Sequence, residues 1–333
     1  DFRPDDVLTR GAAAKIICNL ILGPTTASAL NAGTAPFKDV PVTNTFAGYI
    51  TYCSQQGIIS GYADGTFRPT GTLSGNAFMK MLLGALGYDS SIEGYTGANW
   101  QVSVIKQASG IGLDDGNDEF VGSKAVTRQE AALYAFNMLQ STMVEYDAKT
   151  TVDVNGATVT IAGDKAKEVS NGAANETIKD DNKMQFGEKY FDKLTLNDDG
   201  SDAFARPSNV WRFKGEKVGT YAKTPDATYS SNVELGDIYK DLELSEKDTA
   251  DVYINGLKGD DVVVSKANEV KIASDSGNKD KVGTGSTVEV FYDEDHNDVT
   301  ICVIDNYVGT VSKTVEAKGN ADRYVVIASE SDT

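Results

Sequence analysis

The sequence predicts a multidomain α plus β protein, helical over residues 1–146 and all-β beyond, and three observations carry that reading. The first is an internal repeat: Phe2, Phe67 and Phe120 are each followed seven residues later by a hydroxyl residue, Thr9, Ser74 or Thr127, and then by an apolar helical run. The second is a change of period near Tyr146, where helical spacing gives way to alternation. The third is a series of short strands set off by turns, the pattern of Ig-like sandwich or small barrel modules in tandem.

In the first copy, Phe2-Arg3-Pro4 leads to Leu8-Thr9-Arg10 and a helix through Ile17. Residues 23–36, rich in Ala, Thr and Gly, read as an inserted loop, since copies one and two are 65 residues apart and copies two and three only 53. Phe46, Tyr49, Ile50 and Cys53 then fall on one helical face that ends at Gly57, a left-handed stop. Ile58-Ile59 runs into the Asp64-Gly65 turn, and Ser74 opens the helix over Ala77 to Leu83. Copy three follows suit, with Trp100, Val104, Ile105 and Ala108 before Gly110, read as the counterpart of Gly57, and Thr127 with Glu130 as a capping box.

Beyond Tyr146, Val152 to Gly156 and Thr158 to Ile161 form a hairpin signal with Asn155-Gly156 at the turn. Further strands are expected at Val252 to Ile254, Asp261 to Val264, Val270 to Ala273, Thr287 to Tyr292, Val299 to Ile304 and Tyr324 to Ile327, with a short helix or turn over Leu235 to Leu244.

The repeated unit resembles the S-layer homology module of bacterial cell-surface proteins. The residues that carry the resemblance are Phe37-Lys38-Asp39-Val40, Tyr49-Ile50, Gly57-Ile58-Ile59-Ser60-Gly61-Tyr62, Asp64 to Pro69, and the Thr-Arg pairs at 9/10 and 127/128. It covers residues 1–146: a partial repeat at 1–30, which begins halfway through the unit, and repeats at 31–88 and 89–146, with β-rich modules at 147–244 and 245–333. The resemblance implies a pseudo-threefold helical prism that binds secondary cell-wall polysaccharide, often pyruvylated, in grooves between modules. It further implies Arg10 and Arg128 as anion clamps, with Thr9, Thr127, Asp39, Gly61 and Trp100 lining or shaping the grooves; copy two has Gly75 at the arginine position. A local reading stands beside this one for the turn residues Asp39, Gly61 and Asp64, which suit caps and turns for backbone reasons alone. An arginine at a helix start runs against the macrodipole, so its presence in two copies asks for an anionic partner.

Net charge is −18, with 31 basic against 49 acidic residues, a balance that repels nucleic acid and anionic membrane. Residues 1–146 carry nine basic and thirteen acidic side chains and so only a small part of that charge. No apolar run approaches the roughly 20 residues of a membrane span. Cys18, Cys53 and Cys302 lie in apolar contexts and are expected as free buried thiols, with a Cys18–Cys53 disulfide the alternative; unpaired thiols outside a cell would suit an anaerobe. Two acidic loops invite calcium, through Asp198, Asp199 and Asp202 and through Asp293, Asp295 and Asp298, although neither has EF-hand spacing and both suit plain turns. His296, the only histidine, is expected exposed in an acidic turn and offers no clear Ser-His-Asp or Cys-His set, and Ser103-Val104-Ile105-Lys106 lacks the companion motifs of the penicillin-recognising enzymes. The expectation is a non-enzymatic extracellular structural protein of a Gram-positive-type cell wall, its β modules self-assembling into an S-layer or filament. No cofactor beyond calcium is expected. The alternatives are a tether for a catalytic domain outside this chain, and an adhesin.

Overall fold

The computed structural model describes residues 2–147, 150–154, 157–161, 165–172, 176–230, 233, 235–245, 249–258, 286–294, 296–306, 309–316 and 324–329. The turn at Asn155-Gly156, the strands expected at Asp261 to Val264 and Val270 to Ala273, and Asp295 lie outside them. The chain divides into two compact units, Asp1–Thr195 and Leu196–Thr333.

The first unit contains α1 (Arg10–Ser28), α2 (Ala47–Gln55), α3 (Gly75–Leu86), α4 (Trp100–Gly110) and α5 (Arg128–Met138). The repeated hydroxyls cap their helices: Thr9 accepts from the Ala12 amide, Ser74 from Ala77 and Thr127 from Glu130, whose carboxylate returns a bond to complete a capping box. The residues just before each cap interlock in a closed cycle. Leu8 donates to Val126, Val126 to Leu73 and Leu73 to Leu8, each through the backbone. In the opposite sense Arg10 donates to Gly71, Gly75 to Lys124 and Arg128 to Asp6, while Gly11, Asn76 and Gln129 reach Pro69, Gly122 and Pro4. Equivalent positions donate and accept in all three copies, so backbone groups left open at the helix starts are satisfied by the neighbouring repeat.

Two expectations need correction here. The segment expected as a loop from Gly23 is helical through Ser28; Gly23 (φ 74°, ψ 156°) kinks α1 and Pro24 starts the next turn, where its missing amide costs nothing. In copy three the left-handed residue is Gly112 (φ 72°), not Gly110, and Leu113 donates to Ala108 as Ile58 does to Cys53. The turn of copy three is therefore two residues shorter than the Gly110 reading implies, since only glycine takes that backbone freely.

After β1 (Val144–Glu145) come the paired strands β2 (Thr150–Val154) and β3 (Ala157–Ile161), then β4 (Lys167–Glu168) and the short α6 (Phe186–Tyr190). Phe186 is fully buried in the same core as Phe67, Phe78, Leu82 and Tyr134, so residues well past 146 complete the helical core. The buried Glu188 carboxylate organises this segment, accepting from the amides of Thr177, Ile178, Lys179 and Gln185 and from Asn171 Nδ2. Cys18 and Cys53 are free and buried in this core, and Cys302 is free and buried in the second unit.

β5 (Leu194–Ser201) leads into the second unit and forms a three-stranded sheet with β6 (Pro207–Phe213) and β7 (Glu216–Ala222). β8 (Ala227–Tyr229), α7 (Leu235–Asp241), β9 (Thr249–Ile254), β10 (Leu257–Lys258), β11 (Ser286–Asp293) and β12 (Asp298–Asp305) follow. The sheet order is β10-β9-β12-β11-β8, mixed because β9 runs parallel to β12. Alternate residues Val288, Val290, Val299, Ile301 and Val303 point to one face, where Leu235 and Ile238 of α7 cover them. β13 (Gly309–Val315) and β14 (Tyr324–Ser329) form a separate hairpin.

Candidate functional site

The capped start of α1 places Arg10 against the second repeat. Its Nε donates to Phe67 O at 2.8 Å and Nη2 to Ser60 O at 2.9 Å, while the guanidinium lies over the rings of Phe67 (4.4 Å) and Tyr62 (4.9 Å). Burial pulls this guanidinium down from its ordinary value, yet a guanidinium stays charged at neutral pH. Arg128 repeats the arrangement: Nε donates to Phe2 O at 2.7 Å with the Phe2 ring 5.7 Å away. At the third equivalent position a Cβ on Gly75 would stand 2.9 Å from the Phe120 ring.

Arg10 forms one wall of a cleft of about 540 Å³ that also holds Gly61, Trp100, Lys80 and Tyr95. Gly61 is there because a Cβ would lie 2.4 Å from the Phe37 ring. Lys80, on α3, donates to Tyr95 O at 2.6 Å and sits 5.5 Å from the Trp100 ring; burial lowers its ammonium from the ordinary value. Tyr95 is 1 % exposed, and its hydroxyl has no hydrogen-bond partner among the described residues. Ser60, Thr72, Ser74, Thr96 and Ser123 add hydroxyls, and no lining residue is acidic. In a chain of net charge −18, a concave surface with two cations, aromatic faces and hydroxyls suits an anionic, hydroxyl-rich ligand.

The other expected glycan residues take different positions. Thr9 and Thr127 are caps, and Asp39 ties the turn of copy two, accepting from the amides of Phe67 and Arg68 at 2.7 Å each. Burial acts to raise the Asp39 carboxyl, but those two amides hold it below the usual carboxylate range. Arg10, Gly61 and Trp100 thus meet in one cleft, while Arg128 lies against Phe2. Lys80 and Tyr95 were not among the sequence candidates. A signal for Lys80 exists: Lys15 and Lys80 both lie thirteen residues beyond the repeat phenylalanine.

In each acidic segment one carboxylate, Asp202 or Asp293, accepts from protein donors. Asp202 holds Arg206 at 2.7 Å and accepts from the Phe204 and Arg206 amides, and Asp293 accepts from the His296 backbone amide and meets its Nδ1 at 2.9 Å. Asp198 and Asp199 lie on β5, and Asp298 opens β12 opposite Asp293. Among the described residues no three His, Cys, Asp or Glu side chains are grouped to hold a metal ion, and no helix is long and apolar enough to cross a membrane.

Residues 36–75 match the S-layer homology domain family. The chain is similar to a surface layer protein of Brevibacillus choshinensis, at 28% identity over 116 residues, 35% of this chain and 10% of that protein. It is similar to a middle cell wall protein of Brevibacillus brevis at 31% over 77 residues, 23% of this chain and 7% of that one. An endoglucanase of a Bacillus species is 32% identical over 105 residues, 30% of this chain and 11% of the enzyme. The chain spans about a tenth of the length of the curated relatives it matches.

Proposed function

With residues 36–75 an S-layer homology domain, we propose that this chain is a cell-surface protein that anchors itself to the wall of a Gram-positive-type bacterium by gripping an anionic secondary cell-wall polysaccharide. The cleft between Arg10 and Lys80 carries the reading: it gathers two cations without one acid in a strongly acidic protein, beside the Trp100 ring and the hydroxyl residues Ser60, Thr72 and Thr96. Arg10 and Lys80 hold the polymer's carboxylate or ketal-linked acid, Trp100 packs on a sugar face, and the hydroxyls take its ring substituents. The cyclic bonding of the three capped turns supports a threefold helical prism, in which such a cleft forms between repeats. The β units, in this reading, serve non-enzymatic assembly into a surface layer or filament, with calcium as a candidate bridging ion tested by assembly with and without chelator. Co-sedimentation with sacculi tests the anchor. Wild-type chain should pellet with intact sacculi and stay soluble with sacculi stripped of their non-peptidoglycan polymer; equal pelleting with both would refute the polysaccharide grip.

The similarity to an endoglucanase favours a second reading, in which the same repeats tether a catalytic domain outside this chain. The full-length gene decides between them, by carrying or lacking such a domain.

A further inference from the structure

We propose that Cys18 and Cys53 are the two halves of a disulfide that staples α1 to α2. Neither side chain has exposed surface, and the sulfurs lie 3.5 Å apart. The geometry is reciprocal: the Cys18 thiol lies 3.6 Å from Tyr49 O and the Cys53 thiol 3.6 Å from Ala14 O, each the carbonyl four residues before the other cysteine. Both carbonyls lie inside helices and already accept the amide of that cysteine, so removing the thiol hydrogens strands no buried polar group. A bonded S–S separation of about 2.05 Å needs an approach on the order of 1.5 Å, shared by two side chains on helices that already pack together.

The chemistry is two thiol–disulfide exchanges with a small disulfide such as oxidised glutathione. One cysteine thiolate attacks a glutathione sulfur and releases the first glutathione thiolate, leaving a mixed disulfide. The second cysteine thiolate then attacks the protein sulfur and releases the second glutathione, so two thiols are oxidised and one disulfide is reduced. In the folded core the Cys18 contact and then burial push the Cys53 thiol up, which starves the reaction of thiolate. The staple therefore closes while the chain folds and is shielded afterwards.

The test refolds the reduced, denatured full chain in a glutathione redox mixture. The intact mass should fall by two hydrogens, peptide mapping should join Cys18 to Cys53, and Cys302 should still alkylate after denaturation. The linked chain should melt on the order of 5–10 °C above the reduced one, because the cross-link constrains the unfolded state. Cys302→Ser should behave identically, and Cys18→Ala and Cys53→Ala should each abolish the mass loss, so that one variant that fails to fold leaves the other to report. Three free thiols after refolding, a link through Cys302, or a linked chain that melts no higher than the reduced chain would overturn the proposal.

Discussion

Arg10 does two things with one side chain. Its Nε and Nη2 bind carbonyls of the second repeat, and the remaining N–H groups are left for a ligand in the cleft. Arg10→Ala should therefore weaken polysaccharide binding by about tenfold or more, since charge-assisted bonds are worth about 1.5–3 kcal/mol each. Lys80→Ala should cost about as much in binding, with a smaller effect on folding, because its own bond is to a single carbonyl. Burial has already lowered the Lys80 ammonium below the ordinary lysine range, so raising the pH through its range discharges it while Arg10 stays charged. Binding measured by calorimetry should accordingly decline in the alkaline range for the wild-type chain and show no such decline in Lys80→Ala. Asp39 works through the backbone. Its folded carboxyl is held low, so the stability it contributes is present above the unfolded carboxylate range and is lost as pH falls through the folded value. In Asp39→Asn, hydrogen exchange at the Phe67 and Arg68 amides should speed up near neutral pH, since only one of the two acceptors remains.

The capped helices are the elements most legible in the sequence, because a hydroxyl at a fixed offset from a phenylalanine acts through a bond only three residues long. Gly57 was readable as a helix stop, whereas the counterpart in copy three falls at Gly112, since Gly110 and Gly112 are both available and only packing selects between them. Nothing local marks Gly23-Pro24 as a kink inside a helix, for the same pair also starts loops. The Glu188 cradle is equally silent in sequence: its donors come from residues 171, 177–179 and 185, and only the folded chain brings them together. Glu188→Ala leaves those buried amides without an acceptor and should destabilise the first unit by about 1–3 kcal/mol in urea unfolding. Thr127→Ala should cost about 1 kcal/mol by removing one side of the capping box.

At the scale of the molecule, the core of the helical repeats draws in residues further along the chain than the repeats themselves reach. Phe186, Met184 and Tyr190 pack on the same core as the repeats, though they lie in the span 147–244 expected as a β-rich module. A chain cut after Thr195 should therefore melt as a cooperative unit, and one cut after residue 146 should melt several degrees lower, having lost the fully buried Phe186. The cleft was half legible: Arg10, Gly61 and Trp100 follow from the motifs, while Lys80 and Tyr95 join them only through the packing of α3 against the segment before α4. The charge layout ties these scales together, because a chain of net charge −18 repels polyanions on the whole while the cleft gathers Arg10 and Lys80 without an acidic lining residue. The most direct measurement is the affinity of the full chain for purified secondary cell-wall polysaccharide at low and high salt, for wild type and for Arg10→Ala/Lys80→Ala. Wild type should bind and weaken as salt rises, and the double variant should bind at least tenfold more weakly with little salt dependence; equal affinity and equal salt dependence in the two chains would contradict the account.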